Sequence, residues 1–188
     1  RSVLVAAMPT GHIAATLERP LPEIETRLES IRTRLLAARS LRVQPTTDRK
    51  RIAAWNGLML AAFADAGRIF EEPQYLAAAE RLAEFLVRDL CRGDRIARSW
   101  IEGGELRHGF LEDQAAVAAG LLALYAANGS LDMLRHARRL TAAMVRDFWD
   151  RETRGFFDTA HDQERLIARP RELTDNATPS ASALACDV

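Results

Sequence analysis

The stretch Asp48–Phe70 reads DRKRIAAWNGLMLAAFADAGRIF, and its reading decides the fold. Its apolar residues fall at Ile52, Trp55, Met59, Ala62/Phe63, Ala66 and Ile69/Phe70, the three-then-four spacing of one buried helix face. Asp48, Arg49, Lys50 and Asn56 gather polar groups around the opening turns, and Thr46 or Thr47 is placed to cap them.

Working outward, an antiparallel partner helix follows the connector Glu71-Glu72-Pro73, with Leu76, Ala79, Leu82, Leu86 and Leu90 inward and Gly93 at its end. Ile96–Ile101 reads as a strand, Glu102-Gly103-Gly104-Glu105 as a turn and Leu106-Arg107 as the return. The pattern then starts again. Phe110–Asn128 is a helix closed by Asn128-Gly129, and Ser130 caps a partner through Leu134, Ala137, Leu140, Met144 and Phe148. Gly155–Thr159 and Leu166–Arg169 form a second hairpin-like pair, and a third helix opens at Asn176.

This is an internal repeat of about 60 residues. Gly57-Leu58-Met59 matches Gly120-Leu121-Leu122, Ala62-Phe63-Ala64 matches Leu124-Tyr125-Ala126, and Val87-Arg88-Asp89-Leu90 matches Val145-Arg146-Asp147-Phe148. One helix pair cannot bury its own apolar face, so repeats must pack together. Alanine-rich helices permit close approach, and an all-α architecture follows: an α/α toroid or part of one, with inner helices around a funnel and short β-hairpins at one rim. Upstream, residues 1–22 read as an extended N-terminal segment containing the apolar run Val3-Leu4-Val5. The helical domain then occupies 23–188, beginning with a helix that has Ile24, Leu28, Ile31, Leu35 and Ala38 on one face.

Acids and bases balance at 26 each, for a formal charge of +0, which excludes a general nucleic-acid binder. No apolar run approaches the roughly 20 residues of a membrane span, and no secretory signal is visible, so a cytoplasmic location is expected. Cys91 and Cys186 make neither a CxxC nor a metal spacing, and no metal or cofactor is expected. The chain opens on Arg1 and stops at Val188 inside a helix start, as a fragment would. A half ring of this kind could close as a homodimer.

Each repeat opens on an aspartate at a comparable place: Asp48, Asp113 and Asp175. In a toroid these lie near one rim, at the starts of inner helices, where Asp113 is the first candidate for a catalytic acid or base and Asp48 or Asp175 its partner. Lys50 (the single lysine), Asn56, Glu112, Arg169 and Asn176 lie nearby, and with Trp55, Trp100 and Phe157 they would line a funnel that binds a sugar or polyol. The competing reading is that Asp in a first turn simply meets unpaired N–H groups and the helix dipole. His108 and His161, beside the hairpins, are the candidate proton exchangers.

Asp48-Arg49-Lys50 followed by Trp55-Asn56-Gly57 resembles a stretch of a thioredoxin-domain-containing family that includes spermatogenesis-associated protein 20 and many uncharacterised bacterial proteins. Phe110-Leu111-Glu112-Asp113-Gln114-Ala115, Gly155-Phe156-Phe157-Asp158, Arg169-Pro170-Arg171 and Asp175-Asn176-Ala177-Thr178-Pro179-Ser180 follow in the family's order. The resemblance implies a bacterial protein whose helical domain is similar to the six-hairpin toroids of N-acylglucosamine 2-epimerases and several glycosidases. It implies carbohydrate chemistry of epimerase or glycosidase type, with a non-catalytic binding scaffold as the alternative. Where the family has Pro-Ser-Gly-Asn-Ser, this chain has Pro179-Ser180-Ala181-Ser182-Ala183, which puts the geometry of the third rim position in doubt.

Overall fold

The computed structural model describes residues 5, 7–163 and 167–188. They divide into two compact units, Arg1–Asp48 and Arg49–Val188. In the first, Pro9 and Pro20 each sit just before a helix, α1 (Thr10–Thr16) and α2 (Leu21–Ser40). Proline is favoured there because its fixed φ suits the approach and its missing N–H costs nothing. The segment expected to be extended therefore contains a helix, and the compact division falls after Asp48 rather than after Pro22. Val3 and Leu4 of the apolar run lie outside the described residues. Ile24 of α2 is buried, whereas Leu28, Ile31 and Leu35 on the same face are exposed.

The second unit is the repeated array. A short strand, β1 (Arg51–Ile52), leads into α3 (Ala53–Ile69), which turns back as α4 (Pro73–Phe85). The last turn widens into a π-helical segment, Leu86–Leu90, then β2 (Cys91–Arg92) and β3 (Arg95–Ile96) form an antiparallel hairpin. Gly93, at φ +68°, makes the turn of that hairpin rather than ending the helix. β4 (Ser99–Trp100) pairs with β1, and the expected Ile96–Arg107 hairpin is reduced to the bridge Ala97–His108. The second repeat has α5 (Leu111–Asn128), α6 (Leu131–Phe148) and the hairpin β5 (Trp149–Asp150) with β6 (Gly155–Phe156). β6 pairs back onto β5, not forward onto Leu166–Arg169, of which Leu166 lies outside the described residues. Helix α7 (Ala181–Asp187) starts five residues later than expected, with Ser180 Oγ accepting the Ala183 N–H.

Helix α5 lies at the centre, packed against α3, α6 and α7. Leu60, Leu86, Leu90, Leu121, Leu124 and Leu140 form the main core, each contributing roughly 1.5–3 kcal/mol of transfer free energy.

Two sequence expectations change here. The buried face of α3 is Ala53, Gly57, Leu60, Ala64 and Gly67, while Trp55 is 63% and Met59 50% exposed. The reason is backbone contact between α3 and α5: a Cβ on Gly57 would lie 2.5 Å from the Ala116 carbonyl carbon, and one on Gly120 would lie 2.6 Å from the Gly57 oxygen. Only small residues fit that crossing, so the large ones turn outward. Gly57 and Gly120 are thus two sides of one contact, not equivalent repeat positions. The equivalence that holds is Ala53 with Leu111 and Val87 with Val145, the same number of residues apart.

Candidate functional site

Each hairpin returns to close its own inner helix. The Arg98 carbonyl accepts the first N–H of α3, from Ala53, and the Asp158 carbonyl accepts the first N–H of α5, from Leu111, both at 2.9 Å. Ala97 and Phe157 likewise donate to Leu90 and Phe148. Arg98 and Asp158 therefore hold the same place in successive repeats, one basic and one acidic.

The Arg98 guanidinium reaches the opening turn of α5. It pairs with Glu112, donates to both oxygens of Asp113 at 3.0 and 3.1 Å, and lies 5.3 Å from the Phe110 ring centroid. Asp113 is 0% exposed and also accepts the N–H groups of Ala54, at 3.0 Å, and Phe110, at 2.9 Å. Burial pushes its carboxyl up to about 6, against the pull of the Phe110 and Ala54 donors and of Arg98. Its neighbour Gln114 is also buried: Oε1 accepts from Ile96, while Nε2 donates to the carbonyls of Asp94 and Leu140. Asp113 and Gln114 fasten the opening of α5 to its surroundings.

Asp158 faces a different setting. With Glu112 and Glu172 it lines a cavity of about 350 Å³ between the start of α5 and residues 170–181. Thr159, Thr174, Asn176 and Thr178 add polar groups, and Phe110 an apolar wall. Asp158 Oδ2 accepts the Glu172 N–H at 2.9 Å, while Oδ1 is buried without a partner. Burial, opposed by that N–H and reinforced by the charges of Glu172 and Glu112, holds Asp158 above the ordinary aspartate value.

Of the residues expected at the site, this cavity brings together Glu112 and Asn176. Asp113 is enclosed away from it, which contradicts the expectation of a funnel-facing carboxylate: two helix starts and Arg98 take up its oxygens. Asp175 accepts the N–H of Ser180, just before α7. Asp48 and Lys50 are exposed, and Asp48 belongs to the first unit. Trp55 projects from the exposed side of α3, and Asn56 donates to the Ile52 carbonyl. Trp100 packs edge-on against Phe85, with the Arg51 guanidinium 4.5 Å from its centroid, so it is half-buried against the core with its ring already stacked within the fold. Arg169 and Arg171 stack on Phe157, at 4.0 and 3.8 Å from its centroid. His108 lies in the bridge to Ala97, and His161 is beside the Asp147 carbonyl. Asp158 and Glu172 were missed. The available signal was the acid at the end of Gly155-Phe156-Phe157-Asp158, whose role depends on the hairpin exit.

Among the described residues no cluster of His, Cys, Asp and Glu is arranged to hold a metal, and no helix is long and apolar enough to cross a membrane.

No family model matches the chain. Human spermatogenesis-associated protein 20 is 34% identical over 196 aligned residues, which cover 98% of this chain and 25% of the human protein. An uncharacterised protein of Caenorhabditis elegans is 28% identical over 193 residues, 98% of this chain and 26% of that protein. The chain thus spans about a quarter of the length of the curated relatives it matches. These relatives are animal proteins and lend no support to a bacterial source. Among solved structures, the cellobiose 2-epimerase of Spirochaeta thermophila superposes with a TM-score of 0.57 at 20% identity, over 72% of this chain and 35% of the epimerase. A GH76 α-mannanase of Bacteroides thetaiotaomicron gives 0.56 at 14% identity, over 62% of this chain and 34% of the mannanase. These likenesses define the fold. The chain is homologous to a segment of spermatogenesis-associated protein 20 and carries part of an α/α toroid of the epimerase and glycosidase type.

Proposed function

We propose that the cavity between the start of α5 and residues 170–181 binds a small sugar or polyol, and that Asp158 is the carboxyl acting on it. One observation carries this reading. The buried side-chain atoms without a hydrogen-bond partner, among the described residues, are Asp158 Oδ1, Arg169 Nε, Arg171 Nε and Ser182 Oγ, all in or beside the segment that walls the cavity. Such atoms cost roughly 1–3 kcal/mol each and are scarce in folded proteins. A hydroxyl-rich ligand offers both donors and acceptors.

Asp158, held above its usual range, suits a proton donor; Glu112, fixed by Arg98, supplies a second carboxyl on the same cavity. That pairing fits hydrolysis of a glycosidic bond, in which one carboxyl protonates the leaving oxygen and the other assists attack. The likeness to sugar-active toroids supports a carbohydrate at fold level. Epimerase chemistry has less support, because neither His108 nor His161 lines this cavity.

The scaffold reading is favoured by Asp113, whose oxygens are all engaged within the fold. A thermal-shift screen of neutral monosaccharides and disaccharides separates the two. A ligand at 100 times its dissociation constant raises stability by about 2.7 kcal/mol. A shift with one sugar class that is lost in Asp158→Asn and kept in Trp55→Ala supports the cavity site. No shift with any sugar leaves the scaffold reading standing.

A further inference from the structure

The charge of the cavity goes further than its hydroxyl groups. It has the size of a small-ligand pocket, about 350 Å³, and among the described residues its lining holds three carboxyl side chains, Glu112, Asp158 and Glu172, and no basic one. Among the described residues the nearby cations place their terminal nitrogens or guanidinium faces elsewhere, although Arg169 Nε and Arg171 Nε have no partner. Arg98 bonds Glu112 and Asp113; Arg171 donates to Asp150 Oδ2 at 2.8 Å and stacks on Phe157; Arg169 stacks on the same ring and donates to the Thr159 carbonyl. The preceding repeat already contains a worked example of cation recognition by this wall. There the Arg98 guanidinium lies over Phe110 and against Glu112, two residues that also line the cavity. The equivalent hairpin position in the second repeat is Asp158, so beside the wall that Arg98 already occupies this hairpin adds a carboxyl rather than a second guanidinium, and its Oδ1 has no partner.

Resting on the reading of a sugar or polyol site, we infer that the cavity selects ligands carrying a protonated amine, amino sugars or amino polyols, over neutral sugars and against acidic or phosphorylated ones. An ammonium group gains from the carboxylates and offers three donors; a carboxylate or phosphate meets like charge.

The test is isothermal titration of the chain with D-glucosamine, D-glucose and D-glucuronate, at a pH where the amine is protonated. Glucosamine should bind at least about fivefold tighter than glucose, the ratio expected of one carboxylate–ammonium contact in a water-filled cleft, with glucuronate weakest. Glu172 is exposed, so Glu172→Gln preserves the fold and should shrink that ratio. Glucose binding as tightly as glucosamine, or glucuronate more tightly, overturns the amine preference and leaves the sugar site intact. Failure of all three to bind overturns the underlying site and this inference with it. An unchanged ratio in Glu172→Gln, with Asp158→Asn equally without effect, also overturns it.

Discussion

Asp113 caps a helix to which it does not belong. Its Oδ1 accepts the Ala54 N–H of α3 at 3.0 Å, while its Oδ2 accepts the Phe110 N–H at the start of its own helix at 2.9 Å. One carboxyl thus joins the openings of two neighbouring inner helices, and Arg98 joins it from the intervening hairpin. Replacing it by alanine leaves the buried Ala54 N–H and the part-buried Phe110 N–H without their acceptor, and Arg98 with Glu112 alone. Asp113→Ala should therefore cost about 3 kcal/mol of stability, the scale for breaking a buried pair. Urea unfolding checks this, and a midpoint unchanged from the native chain would refute the joining role.

The same carboxyl leaves a signature in pH. Burial raises it to about 6, above the ordinary 3.8, so the folded state holds this proton more tightly than the unfolded state does. Its contribution is fully present below about pH 3.8 and is lost as pH rises through 6. Asp147 runs the other way: burial is outweighed by hydrogen bonds from Arg146 and Arg95, its value is lowered, and its contribution is lost as pH falls below the ordinary value. Carbon-detected NMR titration should therefore find the Asp113 midpoint above that of Asp147. The reverse order would contradict the burial argument.

The repeat and its helices were legible because helical periodicity and Gly and Pro punctuation are local, whereas the hairpin partners were not: the pairs formed are β2 with β3, β4 with β1 and β5 with β6. Which face of α3 is buried was not. Ile52, Trp55, Met59 and Phe63 form a strong apolar stripe, yet the helix packs through Gly57, Ala64 and Gly67, because contact area at a close crossing comes from backbone. Asp113 was legible as a special position, but its role was not, since Ala54 lies 59 residues away. Asp158 remained hidden for the same reason: its neighbours Glu112 and Glu172 meet it only after the hairpin has turned.

That difference in faces can be read by truncation. Trp55→Ala removes an exposed side chain and should change stability by no more than about 0.5 kcal/mol. Leu60→Ala, further along the same helix, empties a fully buried position and should cost about 2–5 kcal/mol. Thermal melts of the two variants side by side check this. Equal losses would mean that the α3 face is turned as the apolar stripe alone suggested.

The glycines test the crossing itself. A Cβ added at Gly57 would lie 2.5 Å from the Ala116 carbonyl carbon and 2.6 Å from the Val117 nitrogen, both backbone atoms of α5 that cannot rotate away. Gly57→Ala must therefore push α3 and α5 apart, at a cost of about 1–3 kcal/mol or more from overpacking. Helix propensity acts in the opposite direction, since alanine is better than glycine in a helix interior by roughly 0.5–1 kcal/mol. Gly11 in α1 isolates that second effect, because nothing lies within 4 Å of an added Cβ there. Gly11→Ala should be neutral or mildly stabilising, and Gly57→Ala strongly destabilising, in parallel urea titrations. A Gly57→Ala chain as stable as the native one would mean that the helices do not meet backbone to backbone, and the outward turn of Trp55 and Met59 would lose its cause.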